Sequence, residues 1–240
     1  MPALTRVGHK GADHIAPGNT GASFDAAIAA GVDMIEFDVL PEHPDGTGEL
    51  YLAHDYRALR GGEPLTLEQG LTHLAGETFG EVELDVDMKL PGYELRVLEA
   101  LRRHGLADRA LVSSMYPRSL AVVRAHDSSL RLGWSVPRIK RDYTTDLLTR
   151  VPALAIGIGF RSWLPYGAAR AIRAGRCDAL MSHWRLVTPR LVRAIQRAGG
   201  ELFAWTVDDA ERIAWLEGLG VDGIITNDPR LFSPKEPPGS

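Results

Sequence analysis

Met34-Ile35-Glu36-Phe37-Asp38-Val39 is the stretch on which the reading of this chain turns. Side chains of a β-strand alternate between two faces, so Glu36 and Asp38 share one face while Ile35, Phe37 and Val39 share the other. A helical stretch at 22–30 and a glycine at 31 lead into it, as they would into a buried parallel strand. Two carboxylates on one such face raise each other's pKa unless a cation sits between them. The pair therefore points to a hard divalent metal rather than to an exposed acidic edge.

The same order of helix, glycine and strand recurs outward from this stretch. It is found at 95–104, Gly105 and 110–113, at 191–198, Gly199-Gly200 and 202–207, and at 211–219, Gly220 and 223–226. Glycine is the usual left-handed cap where a helix stops, and helices alternating with strands build a parallel sheet. Strands are expected at 4–8, 34–39, 82–88, 110–113, 130–134, 179–182, 202–206 and 223–226. Eight of them favour an α/β fold with a single closed (β/α)8 barrel over an open doubly wound sheet. Residues 49–54 read as an extra strand beside 34–39, reached through a turn region at 41–48. Residues 153–160 fit a helix, a loop packed under the barrel or a further strand, and periodicity does not separate the three.

A chain of 240 residues that is 45% hydrophobic can bury a sizeable core. One domain is expected over 1–232, with a disordered tail, Ser-Pro-Lys-Glu-Pro-Pro-Gly-Ser, at 233–240. A net charge of −4 without a lysine-rich run suggests no footprint on nucleic acid or on an anionic membrane, so a small-molecule substrate is expected. Oligomeric state stays open. The single cysteine, Cys177, excludes an intramolecular disulfide and a cysteine-based zinc cluster, and is compatible with a reducing compartment. The N-terminus lacks a signal-peptide core, and the longest apolar run, 151–160, is about half a membrane span. A soluble, cytoplasmic protein without membrane insertion is the expectation.

In such a barrel the active site lies at the carboxyl ends of the strands. Those ends carry His9 and Lys10, Glu36 and Asp38, Asp87 and Lys89, Ser113 and Ser114, Trp134, Ser182 and His183, Trp205, and Thr226 with Asn227. On the third strand Glu83, Asp85, Asp87 and Lys89 alternate with apolar residues, and buried charges must be paired or bind metal. Asp87, nearest the rim, is the expected third ligand beside Glu36 and Asp38. His9 and His54 could exchange protons with an attacking and a leaving oxygen, or complete the metal's ligands. Lys10 and Lys89 suit a phosphate, with a structural ion pair to Asp87 or Asp85 as the alternative for Lys89. Trp205 could floor a glycerol or alkyl pocket or belong to the core. His183 is a rim candidate beside Trp184, whereas His14, His43, His73, His104 and His126 read as ordinary loop or helix histidines.

Taken together, these pieces resemble the glycerophosphodiester phosphodiesterase family. Gly8-His9-Lys10-Gly11 resembles its opening His-Arg-Gly, Pro17-Gly18-Asn19-Thr20 its Pro-Glu-Asn-Thr, and Asp87-Met88-Lys89 its Glu-Ile-Lys. Glu36-Phe37-Asp38-Val39 matches the ligand pair, and Leu52-Ala53-His54-Asp55 the second histidine motif. Trp205-Thr206-Val207 and the Ile-Ile-Thr-Asn-Asp-Pro ending at Pro229 match as well. The resemblance implies a (β/α)8 barrel that hydrolyses glycerophosphodiesters to glycerol 3-phosphate and an alcohol. It further implies His9 and His54 as the acid/base pair, and Glu36, Asp38 and Asp87 as ligands to Mg2+ or Ca2+, with Mn2+ as a substitute. Lys10 and Lys89 would contact phosphate.

Three positions depart from the pattern. Lys10 replaces an arginine and loses its bidentate fork. Asp87 replaces a glutamate and reaches about 1.5 Å less far. Gly18 replaces a glutamate, and a short 55–65 segment leaves little material for a cap, so an open, shallow site is expected. An aspartate as third ligand together with the missing glutamate also resembles the sphingomyelinase D-type phospholipases, which form a cyclic phosphate. An inactive phosphodiester-binding barrel is a further alternative.

Overall fold

The computed structural model describes residues 3–137 and 147–233, with side chains from 159 onward in the second stretch. Residues 234–240 of the expected disordered tail lie outside the described residues. Strands β1 (Thr5–Gly8), β2 (Met34–Pro41), β4 (Glu83–Met88), β5 (Ala110–Ser114), β6 (Arg131–Val136), β7 (Ala179–His183), β8 (Glu201–Trp205) and β9 (Gly223–Thr226) pair in parallel, in that order. β1 pairs with both β9 and β2, which closes the ring. This is the (β/α)8 barrel expected from the eight strands. The extra strand is β3 (Leu50–Leu52), antiparallel to β2 with Val39 opposite Leu52.

The helices are α1 (Gly21–Ala29), α2 (Tyr56–Arg60), α3 (Leu67–Leu74), α4 (Glu94–Arg103), α5 (Pro117–His126), α6 (Leu147–Arg173), α7 (Pro189–Gln196) and α8 (Ala210–Leu219). Residues 153–160 fall inside α6, so the helical option holds. Local chemistry sets several boundaries. The Thr20 side chain accepts from Ser23 N while Ser23 Oγ bonds back to Thr20 N, a capping box that starts α1. Gly220, at φ +82, ends α8 in the left-handed region that costs a glycine little.

Alternation along β2 divides the core in two. Ile35, Phe37 and Val39 face outward into the layer between sheet and helices, where Phe37 meets Phe24 with ring centroids 6.0 Å apart. Met34 faces inward and joins Val7, Leu111, Met181, Phe203 and Ile225 in a small apolar plug inside the barrel. Below the plug, Arg131 bridges Glu83 and Glu201 at 2.8 Å each. Above it the inward positions of β2 and β4 turn acidic, because the register sets Glu36 beside Asp85 and Asp38 beside Asp87. The plug seals the floor of that layer from water.

Cys177 is buried, and burial together with the neighbouring Asp178 charge pushes its thiol up to about 12. Thiolate is the reactive form, so the native protein should not react with an aromatic disulfide reagent at pH 8 and should yield one thiol per chain on unfolding. Rapid labelling of the native protein would contradict this burial.

Candidate active site

The turn after β1 is built around close backbone approach. A Cβ on Gly8 would sit 2.1 Å from the Gly11 carbonyl oxygen, and Gly11 itself has φ +86. Between them Lys10 adopts φ +51, a left-handed conformation that costs a non-glycine residue about 1–2 kcal/mol. That geometry aims the Lys10 amide N–H at Glu36 Oε2, 2.8 Å away. The Lys10 ammonium turns the other way and pairs with Asp13 at 3.1 Å. Asp13 also accepts from the Gly18 amide, tying the two loops together.

Asn19, the other non-glycine residue at positive φ among the described residues, reaches across from the loop before α1. Its Nδ2 donates to Asp38 Oδ2 at 2.9 Å and its Oδ1 accepts from the Asp38 amide at 3.1 Å. Asp38 is wholly buried and thereby fixed in one rotamer. Glu36, Asp38 and Asp87 each present a carboxylate oxygen within 4.8 Å of the others. Asp85 lies beside Glu36, one row below Asp87, accepting from Ser113 Oγ at 2.6 Å.

Four carboxylates crowd around one ammonium, that of Lys89. It pairs with Asp87 at 2.6 Å and with Asp38. Burial opposes charge on Glu36, Asp38, Asp85 and Lys89. It raises Glu36 well above the ordinary carboxylate range, with Asp38 adding to the effect, and together with the Asp87 charge it pushes Asp85 up to about 7. Burial would raise Asp38 too, yet Lys89 and the His54 and His9 imidazoles outweigh it and hold Asp38 below its usual range. For Lys89, Asp38 and Asp87 likewise overcome the cost of burial and keep the ammonium charged. Asp38 Oδ1 has its ion pair with Lys89, but among the described residues neither it nor the buried Asp87 Oδ1 has a hydrogen-bond partner. A cluster short of positive charge, with unsatisfied hard oxygens converging on one point, fits a divalent cation.

Both imidazoles border the cleft that this cluster lines. His9 Nδ1 donates to Asn227 Oδ1 at 2.5 Å, leaving Nε2 as the acceptor, 3.8 Å from Glu36 Oε2. Asn227 cannot present its amide the other way round, because its Nδ2 donates to Asp208 Oδ2 at 2.7 Å. Burial lowers the His9 pKa below 6.5 against the pull of Asp38. His54 is half-exposed, with Nδ1 3.5 Å from Asp55 Oδ2, and Asp55 is fixed as the N-cap of α2.

His9, Glu36, His54, Asp87, Lys89 and Trp205 line one cleft at the carboxyl ends of the strands, together with Asp85 and Ser113. Trp205 is anchored by its Nε1 donating to the Met181 carbonyl at 2.9 Å. His183 is set behind it, edge-on to Trp205 at 5.2 Å and stacked on Trp184 at 5.7 Å. The structure thus gathers most of the expected residues, but not the side chains of Lys10 and His183. Sequence reading gave no role to Asn19, Asp13 or Asp208. A left-handed asparagine in the quoted Pro-Gly-Asn-Thr loop was the one available signal for Asn19.

The model of the glycerophosphoryl diester phosphodiesterase family matches residues 9–40 and 77–231, most of the chain. The chain belongs to this family. The enzyme class implied by the sequence, a glycerophosphodiester phosphodiesterase, is borne out by that membership. A glycerophosphodiester phosphodiesterase of Caldanaerobacter subterraneus subsp. tengcongensis is 27% identical, over 94% of this chain and 95% of its own length. Among solved structures, a phosphodiesterase of Oleispira antarctica in complex with the product sn-glycerol-3-phosphate superposes with a TM-score of 0.72, at 19% identity and over 94% of each chain. A glycerophosphodiester phosphodiesterase of Parabacteroides distasonis gives 0.71 at 18% identity, over 93% of this chain and 92% of its own. At these identities the solved structures speak for the fold. No helix among the described residues is long and apolar enough to cross a membrane.

Proposed function

We propose that this cleft hydrolyses glycerophosphodiesters to glycerol 3-phosphate and an alcohol, with His9 and His54 exchanging the protons and Glu36, Asp38 and Asp87 holding Mg2+ or Ca2+. The observation that carries the reading is the convergence of three carboxylates within 4.8 Å of one another beside a cleft that two imidazoles also line. A divalent cation bound there would supply electrostatic stabilisation of the phosphoryl oxygens and lower the pKa of a coordinated hydroxyl.

The protein's own groups then divide the work. Asn227 fixes His9 in the tautomer whose Nε2 is a bare acceptor, and burial keeps it neutral near pH 7, so His9 is the base that takes the proton of the attacking hydroxyl. His54, half-exposed beside Asp55, is placed to carry a proton and to give it to the departing alkoxide as its P–O bond breaks. If the glycerol 2-hydroxyl attacks first, the two exchange roles while water opens the cyclic phosphate. Lys89 offers its ammonium to the phosphate as well as to Asp38 and Asp87. Trp205 supplies an apolar wall for the glycerol or alkyl part.

Incubation with glycerophosphocholine, followed by phosphorus NMR, tests the reading. Glycerol 3-phosphate should accumulate with Mg2+, Ca2+ or Mn2+, and turnover should vanish in EDTA and return with the metal. Accumulating cyclic phosphate would instead mark a cyclising lyase, and full turnover in EDTA would defeat the metal assignment.

A further inference from the structure

The chain is acidic overall, at −4, but its charge is unevenly spread. From 159 to 200 it holds eight arginines (161, 170, 173, 176, 185, 190, 193 and 197), no lysine, and one acidic residue, Asp178. All eight are exposed. Asp178 is already engaged by Arg124. Among the described residues none of the eight has a carboxylate within ion-pair distance, whereas five of the twelve arginines described elsewhere do.

Helical spacing gathers these charges onto one outer surface. On α6, Leu164, Ala168 and Ile172 face the core, and Trp163, Tyr166, Arg170 and Arg173, spaced three and four apart, form the opposite stripe. On α7, which packs beside α6, Leu191, Val192 and Ile195 are buried while Arg190 and Arg193 face out, with Arg197 one turn on. Trp163 and Tyr166 are 48% and 63% exposed, and Phe160 lies against Trp163 at 6.0 Å. Because α6 returns from β6 to β7 and α7 from β7 to β8, Trp163, Tyr166 and Arg190 lie toward the catalytic rim while Arg170, Arg173 and Arg193 trail below them.

We propose that this α6–α7 face docks the enzyme on an anionic lipid bilayer, with Trp163 and Tyr166 entering the headgroup region and the arginines pairing with lipid phosphates. Charge complementarity selects an anionic partner. The exposed tryptophan and tyrosine select a bilayer over a nucleic acid, since an amphipathic ring beside guanidinium groups suits the interface between water and hydrocarbon. The whole-chain charge hides this surface because all but one of the acidic residues fall outside 159–200 in the sequence, and a search for lysine passes over it because the cations are arginines.

Sedimentation with vesicles of phosphatidylcholine alone, and of phosphatidylcholine mixed with phosphatidylglycerol, tests the assignment. The protein should bind the anionic vesicles, release them as salt is raised, and ignore the neutral ones. Each arginine near a charged surface contributes about fivefold to partition, so R170Q/R173Q/R190Q/R193Q should weaken binding by roughly 10²–10³-fold. W163A/Y166A should weaken it about tenfold in a less salt-dependent way. Both variants should keep wild-type turnover of soluble glycerophosphocholine, which shows that the fold survives. Equal binding to neutral vesicles, wild-type binding by the quadruple variant, or tighter binding to duplex DNA than to anionic vesicles would each overturn the proposal.

Discussion

Alanine in place of His54 is expected to lower kcat by roughly 10²–10⁴-fold, the range a positioned acid or base contributes, with little change in stability. The side chain is half-exposed, so its removal should cost no more than about 0.5 kcal/mol. His9→Ala should lose turnover to a similar degree, but it also strips the partner from Asn227 Oδ1 and so should cost about 1–3 kcal/mol. If the two groups serve one step, the double variant should be little worse than the worse single one. The pH profile follows from the sign of the His9 shift. A base must be unprotonated, so kcat/KM should fall as pH falls through the His9 pKa, and burial places that limb below 6.5. Near-normal rates in both single variants would remove the histidines from the chemistry.

How far the sequence could anticipate this site depended on how local each signal was. Strand alternation has a period of two, so the shared face of Glu36 and Asp38 was visible in six residues, and the same rule placed Asp85, Asp87 and Lys89. The 153–160 segment was ambiguous because it is apolar without interruption, which leaves no amphipathic period to read. The direction of the Lys10 side chain was not legible for a different reason. Its direction follows from φ +51, set by the tight approach of Gly8 to Gly11, and a rim position says nothing of that torsion. The groups that position the site were the least legible. Asn19 reaches Asp38 across 19 residues and Asn227 reaches His9 across 218, contacts that exist only once the barrel has closed.

Lys89→Met should be the most destabilising change in the cleft, and a divalent cation should reverse much of the loss. Among the described residues the ammonium is the one lysine or arginine cation held among Glu36, Asp38, Asp85 and Asp87, and methionine matches its bulk without its charge. Removing one partner from a buried ionic cluster costs about 3–5 kcal/mol, because the remaining charges lose their compensation. For a chain of this size that corresponds to a fall in Tm of about 10 °C in EDTA. Acid should narrow the gap. In the wild type Asp38 is held below its unfolded pKa, so the stability it contributes is present above that value and lost as pH falls through the folded one, while the crowded carboxylates of the variant take up protons and are relieved. A cation that binds only the folded state stabilises it by mass action, and the variant should gain more from Mg2+ or Ca2+ than the wild type, since its carboxylates no longer have an internal competitor. Thermal unfolding of both proteins in EDTA and in rising divalent salt measures this directly. An equal Tm difference under the two conditions would mean that a divalent cation does not take the place of Lys89 among these carboxylates.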